Sequence, residues 1–365
     1  MNTQQLLDLL KRTIPASLPV LIESAPGIGK TAVGKQASDQ LGRRWATIHA
    51  STIDPVDSSG LPLVCEVDGE RRYVRCLDDV LDGLVNAKEP TTLLIDELGQ
   101  APNAVQAALA PFFAPDRRLN RWTLSPHLSV FGATNTSAHR SAANPILLHI
   151  RSRVRSTVRL KVHRDSWIEY AGKTGTLPVI MSFIQSNPTM LYELESLPPA
   201  QLKERGLSYD KVFATGEGFT NPRSWSSIDD LLKVGLDEET KEEVIEGAVG
   251  STAALLFMAH ERKVLTEIDL DHVLRHDDWE FPPASELGLR WAWTFGLASL
   301  ATRKNVERVF DIAQKLHMRK LGEYGVVLAQ QVVMRDEGLV TSEALRKLSR
   351  SDFGRVVIGT QSVKR

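Results

Sequence analysis

Cysteine is nearly missing: 365 residues contain only Cys65 and Cys76. Two thiols cannot build a disulfide framework or a cysteine-rich metal centre, so both read as reduced thiols. Long apolar runs are missing too. The richest stretch, 291–301, falls far short of the roughly 18 residues of a membrane span. The opening MNTQQLLDLLKRT carries no apolar secretory core, so a cytoplasmic protein is expected, with no membrane partner. Neither sign of charge dominates, since 44 Lys+Arg against 45 Asp+Glu leave a net charge of −1. That balance argues against a chain whose main task is coating nucleic acid. There is no low-complexity tract and no internal repeat.

What is present is ordinary for a globular chain: 42% hydrophobic and 24% charged residues. At roughly 150 residues per domain the length suggests two to three domains, each able to bury a core. Up to residue 163, short apolar runs alternate with helical patterns. Strands are expected at 19–22, 45–49, 91–95, 128–133 and 158–162, with helices at 31–41 and 104–113. Asp68-Gly69, between apolar stretches at 64–67 and 73–76, is a hairpin signal. Such alternation implies an α/β fold with a parallel sheet covered on both faces. Beyond residue 163 helical periodicity takes over, at 227–234, 239–249 and 252–260. Phe281-Pro282-Pro283 reads as a boundary, and Val306, Val309, Phe310, Ala313 and Leu316 share one helix face.

The most informative segment runs Ser24-Ala25-Pro26-Gly27-Ile28-Gly29-Lys30-Thr31-Ala32. It fits the phosphate-loop pattern G-x-x-x-x-G-K-[ST] with Ser24 in place of the first glycine, and it lies between a strand and a helix. Small residues let backbone amides turn toward phosphate oxygens, and the helix N-terminus favours an anion. Lys30 would reach the β- and γ-phosphates of ATP, and the Thr31 hydroxyl would ligate Mg²⁺. A second apolar strand ends in Asp96-Glu97. Here Asp96 would hold Mg²⁺ and Glu97 would activate the attacking water. Carboxylates at the end of a buried strand are costly without such a partner. A third strand ends in Asn135, which suits a hydrogen bond to the γ-phosphate or the water, and by itself suits a simple turn equally. Arg151, Arg153 and Arg155 crowd together before the last core strand. Arg153 is the first choice for a finger acting on a neighbouring subunit's γ-phosphate and Arg151 the second, with ion-paired surface arginines as the alternative. Asn221-Pro222-Arg223-Ser224-Trp225 opens a helix. Arg223 there either reaches a nucleotide or pairs locally, and Trp225 reads as core.

In order and spacing these motifs resemble the AAA+ ATPases, and in detail their MoxR-like, dynein-related branch, near the NorQ and CbbQ types and distantly the magnesium-chelatase ATPase subunit. The resemblance is carried by 53–62, the following hairpin, 96–109, 116–119, 132–135 and 221–225, and spans about residues 15–235. It implies a P-loop core with a five-stranded parallel sheet and a β-hairpin insert over 1–163. A helical lid over 164–275, with Arg223 as its nucleotide sensor, would follow, and then a helical region over 276–365 of unassigned role. It further implies Mg²⁺-dependent ATP hydrolysis in a homo-oligomeric ring, commonly a hexamer. Such rings remodel a protein client, often with a partner carrying a von Willebrand factor A domain. The loop and hairpin at 58–76 resemble the insert that faces clients; a purely structural hairpin is the alternative. Two further readings stay open: a nucleic-acid motor or loader, and an ATP-gated scaffold.

Overall fold

In the computed structural model, residues 1–119, 122–136, 144–335, 338, 348 and 351–362 are described. The chain divides into two units, Met1–Val162 and His163–Arg365.

The first unit is built on five parallel strands: β1 (Val20–Ser24), β2 (Arg44–His49), β5 (Thr91–Asp96), β8 (Leu128–Asn135) and β9 (Ser156–Arg159). Their order is β2-β5-β8-β1-β9. Every residue of β1 and β5 is buried, as a sheet covered on both faces requires. Helices α1 (Thr3–Thr13), α2 (Lys30–Gln40), α3 (Pro55–Ser59), α4 (Asp79–Val85), α5 (Asn103–Leu109) and α6 (Leu148–Arg151) accompany the sheet. One core joins Leu21, Leu93, Ile95 and Val130 of the sheet to Leu84, Val105, Leu109 and Phe113. On α2, Gly34 lets the helix lie against Phe131, because a Cβ there would come within 2.5 Å of that ring. At the sheet end opposite the C-terminal edge, the Arg43 guanidinium donates to the carbonyls of Thr91 and His127 and to the Ser129 hydroxyl.

The hairpin forms as β3 (Leu61–Val67) and β4 (Glu70–Cys76), longer than expected because Leu61–Leu63 on one strand and Glu70–Arg72 on the other join the ladder. Asp68 and Gly69 both have positive φ, 56° and 78°, the two-residue turn whose twist suits a hairpin. A two-stranded ribbon joins β6 (Arg118–Leu119) to β7 (Trp122–Thr123). The expected last strand at 158–162 is displaced: β9 begins at Ser156, opposite Val20, and the ladder runs out at Arg159. Strand propensity locates the segment, but pairing with β1 sets its ends.

The second unit is helical among the described residues. It comprises α7 (Arg164–Thr174), α8 (Pro178–Ser186), α9 (Glu193–Ser196), α10 (Pro199–Glu204), α11 (Tyr209–Thr215), α12 (Pro222–Lys233), α13 (Glu238–Val249), α14 (Ser251–Glu267), α15 (Leu270–Arg275), α16 (Leu287–Ser299), α17 (Val306–Met318), α18 (Gly322–Arg335) and a final helix, Asp352–Ser362. The apolar run of α16 lies against α8, and α17 and α18 form a helical hairpin. Trp225 is fully buried against Phe183 and Phe257, with ring centroids 5.4 and 5.6 Å away, and donates its Nε1–H to Met190 O at 2.8 Å. His260 bonds Ser182 at 2.8 Å, and burial pushes its pKa down to about 4, so it sits there as a neutral imidazole. Around Phe281, Trp293 and Tyr324 lie with centroids 5.0 Å away. Removing the largest of these side chains by Trp225→Ala should cost about 3–5 kcal/mol in chemical denaturation. A loss below about 1 kcal/mol would contradict this packing. No helix among the described residues is long and apolar enough to cross a membrane.

Candidate active site

The C-terminal ends of β1, β8 and β5 lie side by side, because Ser24 pairs with Asn135 and Ile95 with Gly132 in parallel register. Parallel α/β sheets collect polar groups at that edge, where each strand stops and its chain turns outward. After β1, the loop Ala25–Gly29 turns through Gly27 and Gly29 at φ 75° and 100°, a conformation that side chains disfavour. Helix α2 then starts at Lys30 with no side chain capping its first amides, whereas α4 and α12 are capped by Asp78 and Asn221. A helix start of this kind favours an anionic ligand.

Lys30 is 9% exposed and its ammonium is drawn inward. It donates to Ser24 Oγ at 2.9 Å and to Asn135 Oδ1 at 2.8 Å, with the Ala25 carbonyl at 3.5 Å. Ser24, the departure from the usual glycine, is thus part of the lysine's cradle and donates its own hydroxyl to the Ala25 carbonyl. Thr31, next on α2, donates its hydroxyl to Asp96 Oδ2 at 2.9 Å, and the other carboxylate oxygen accepts the Glu97 amide at 2.8 Å. Ile28 is buried beneath the loop, Pro26 is half-buried and Ala32 faces outward.

Glu97 has φ 56°, left-handed for a residue with a side chain. Such conformations persist only where surrounding structure holds them, and they concentrate at functional sites. What holds this one is the next turn of chain, where Leu98 and Gly99 donate their amides to Ala133 O and Thr134 Oγ1. Gly99 permits the approach, since a Cβ there would meet Thr134 Oγ1 at 2.4 Å. The Glu97 carboxylate accepts a hydrogen bond from the Ser51 hydroxyl. Ser51 does not stand out in the sequence; the β2–β5 register, which sets His49 against Asp96, brings it alongside.

The arginines separate. Arg151 donates to Glu23 Oε1 at 2.9 Å, and Arg159 approaches the other oxygen at 3.7 Å, so the buried Glu23 carboxylate is matched within its own chain. Arg153 donates to His149 O at 2.8 Å, and Arg155 is exposed. Arg223 belongs to the second unit, exposed in the first turn of α12, where Asn221 caps the helix and Pro222 opens it. The hairpin insert presents Val64 and Tyr73 opposite each other, 60% and 84% exposed. Lys30, Thr31, Asp96, Glu97 and Asn135 therefore converge on one strand edge, with the loop residues 24–29 around them. The donor set fits Mg²⁺, since Asp96 and Thr31 offer the hard oxygens that ion takes alongside phosphates.

The sequence matches no protein-family model and no curated protein. Among solved structures, the chain is similar to the Holliday junction branch migration motor RuvB of Thermotoga maritima, at 14% identity and a TM-score of 0.35, with 78% of this chain and 79% of that chain covered. It is also similar to NtrX from Brucella abortus, at 16% identity and a TM-score of 0.38, with 95% of this chain and 67% of that chain covered. Both likenesses are distant.

Proposed function

We propose that the chain is a Mg²⁺-dependent ATPase of the AAA+ type, of the MoxR-like branch, working as a homo-oligomeric ring, a hexamer, that remodels or activates a protein client. A von Willebrand factor A domain protein is its proposed partner. The observation that carries the ATPase is the convergence of Lys30, Asn135, Thr31, Asp96 and Glu97 at adjacent strand ends. ATP would lie along Ala25–Thr31 with its phosphates on the uncapped start of α2. On binding, Lys30 exchanges Ser24 and the Ala25 carbonyl for β- and γ-phosphate oxygens. Thr31 and Asp96 would hold Mg²⁺, which offsets charge on the phosphates. Glu97, released from Ser51, takes the proton of the water that attacks the γ-phosphorus. Asn135 orients that water or the γ-phosphate. The bond from the γ-phosphorus to the bridging oxygen breaks, leaving ADP and inorganic phosphate. Residues 164–275 act as the lid carrying Arg223, and the exposed Val64–Tyr73 pair of the hairpin meets the client.

The finger is Arg153 in this reading, because Arg151 already serves Glu23. Arg153→Ala is expected to lower turnover by about 10³-fold or more. Mixing it with Glu97→Gln should recover turnover, because a Glu97→Gln subunit can lend its Arg153 to a neighbour with an intact Glu97. Phosphate release by the mixture checks this; two inactive proteins that stay inactive together would contradict a finger acting between subunits. Turnover stimulated severalfold by DNA and lost at higher salt would replace the protein client with nucleic acid.

A further inference from the structure

A second cluster of chemistry-bearing groups lies in the second unit and serves no step above. His272 lies in the last turn of α15, and His276 directly follows that helix in an extended conformation. Their rings stack with centroids 4.6 Å apart. Asp278 closes the group, its Oδ1 3.1 Å from His272 Nε2. One ligand atom from each of the three residues lies within 4.8 Å of the others. Two ligands of a tetrahedral zinc ion bound at about 2.0–2.1 Å stand about 3.3 Å apart. The His272–Asp278 pair already meets that spacing, and rotation of one exposed ring supplies the rest.

The backbone that carries these groups is pinned. Val273 and Trp279, on either side of His276 and Asp278, are 5% and 4% exposed and anchored in the core. From α17, Arg308 donates to the His276 carbonyl and, at 2.7 Å, to Asp277 Oδ1. Lys315, also on α17, donates to that same oxygen at 2.5 Å. Asp277 thus engages Arg308 and Lys315, and Asp278 faces His272. The result is two imidazole nitrogens and one carboxylate oxygen on a held segment, open to solvent on the remaining side. Borderline divalent ions favour such a set, whereas Mg²⁺ and Ca²⁺ favour oxygen alone.

We propose that His272, His276 and Asp278 form a Zn²⁺ site, with a fourth position left for water. The bound ion ties the end of α15 to the segment leading into α16. Zn²⁺ alone, titrated into the full chain against a chromophoric chelator without ATP or Mg²⁺, should show one equivalent bound per chain. Replacing both His272 and His276 by Ala should weaken that binding by about 100-fold, and Asp278→Asn by about 10-fold, since loss of even an outer-shell partner costs about 10–100-fold. All three side chains are exposed, so the variants should fold as the parent does, which far-ultraviolet circular dichroism checks. Co²⁺ in place of Zn²⁺ gives a visible spectrum that reports nitrogen ligation and should vanish with His276→Ala alone. No stoichiometric binding by the parent, or equal affinity in the double variant, would overturn the site.

Discussion

Glu97→Gln is expected to lower ATP turnover by about 10²–10⁴-fold while leaving ATP binding within a few-fold of the parent. The two halves of that expectation come from different atoms. Loss of the carboxylate removes the acid placed next to the Thr31–Asp96 pair to take a proton from water. Binding survives because Lys30, Thr31, Asp96 and the start of α2 are untouched. The fold should survive too, since glutamine tolerates a φ of 56° no worse than glutamate and can still accept from Ser51. Single-turnover phosphate release, measured beside binding of a fluorescent ATP analogue, reads both halves. Parent-like turnover would remove Glu97 from its role, and lost binding would mean that it holds nucleotide instead.

Lys30→Ala is expected to lower turnover by about 10²–10³-fold, the range for losing one group that stabilises developing charge. Unlike Glu97→Gln, it should also weaken ATP binding, because the same ammonium would contact the phosphates before and during transfer. Its hydrogen bonds to Ser24 and Asn135 lie at the open end of the strands, where water can enter the space the side chain leaves, so thermal unfolding should shift little. Turnover within twofold of the parent would remove the loop from the chemistry. Impaired binding in Lys30→Ala but intact binding in Glu97→Gln would separate the two roles within one cleft.

The residues in this cleft differ in how far sequence alone reveals them. Lys30 and Thr31 stand out because a glycine-rich turn between strand and helix has few other uses. Asp96 and Glu97 stand out because a buried apolar strand ending in two acids calls for a reason. Ser51 has no such signature: His49-Ala50-Ser51 reads as the frayed end of a half-exposed strand. Its place beside Glu97 comes from the β2–β5 ladder, which joins segments nearly fifty residues apart. Glu23 is similar. Nothing near it in the chain says that a carboxylate at 7% exposure will be matched, and its partner Arg151 is 128 positions away. That pair engages Arg151, the second choice of finger from the sequence, and leaves Arg153, the first choice, for that role.

Sequence by itself determined the α/β character of the first unit, the strands and turns that carry Lys30, Thr31, Asp96, Glu97 and Asn135, and the helical texture that follows. These are local properties: the period of apolar residues, glycine where the backbone needs positive φ, and acids or an amide where a strand stops. Only the tertiary structure decided the strand order, the true ends of β9, the hydroxyl on Glu97, the acid that holds Arg151, and the meeting of His272 and His276 with Asp278 over a segment clamped by α17. Those depend on which segments pair or pack across long stretches of chain. That choice is made by burying apolar area and satisfying backbone hydrogen bonds over the whole unit, so no short window of residues contains it.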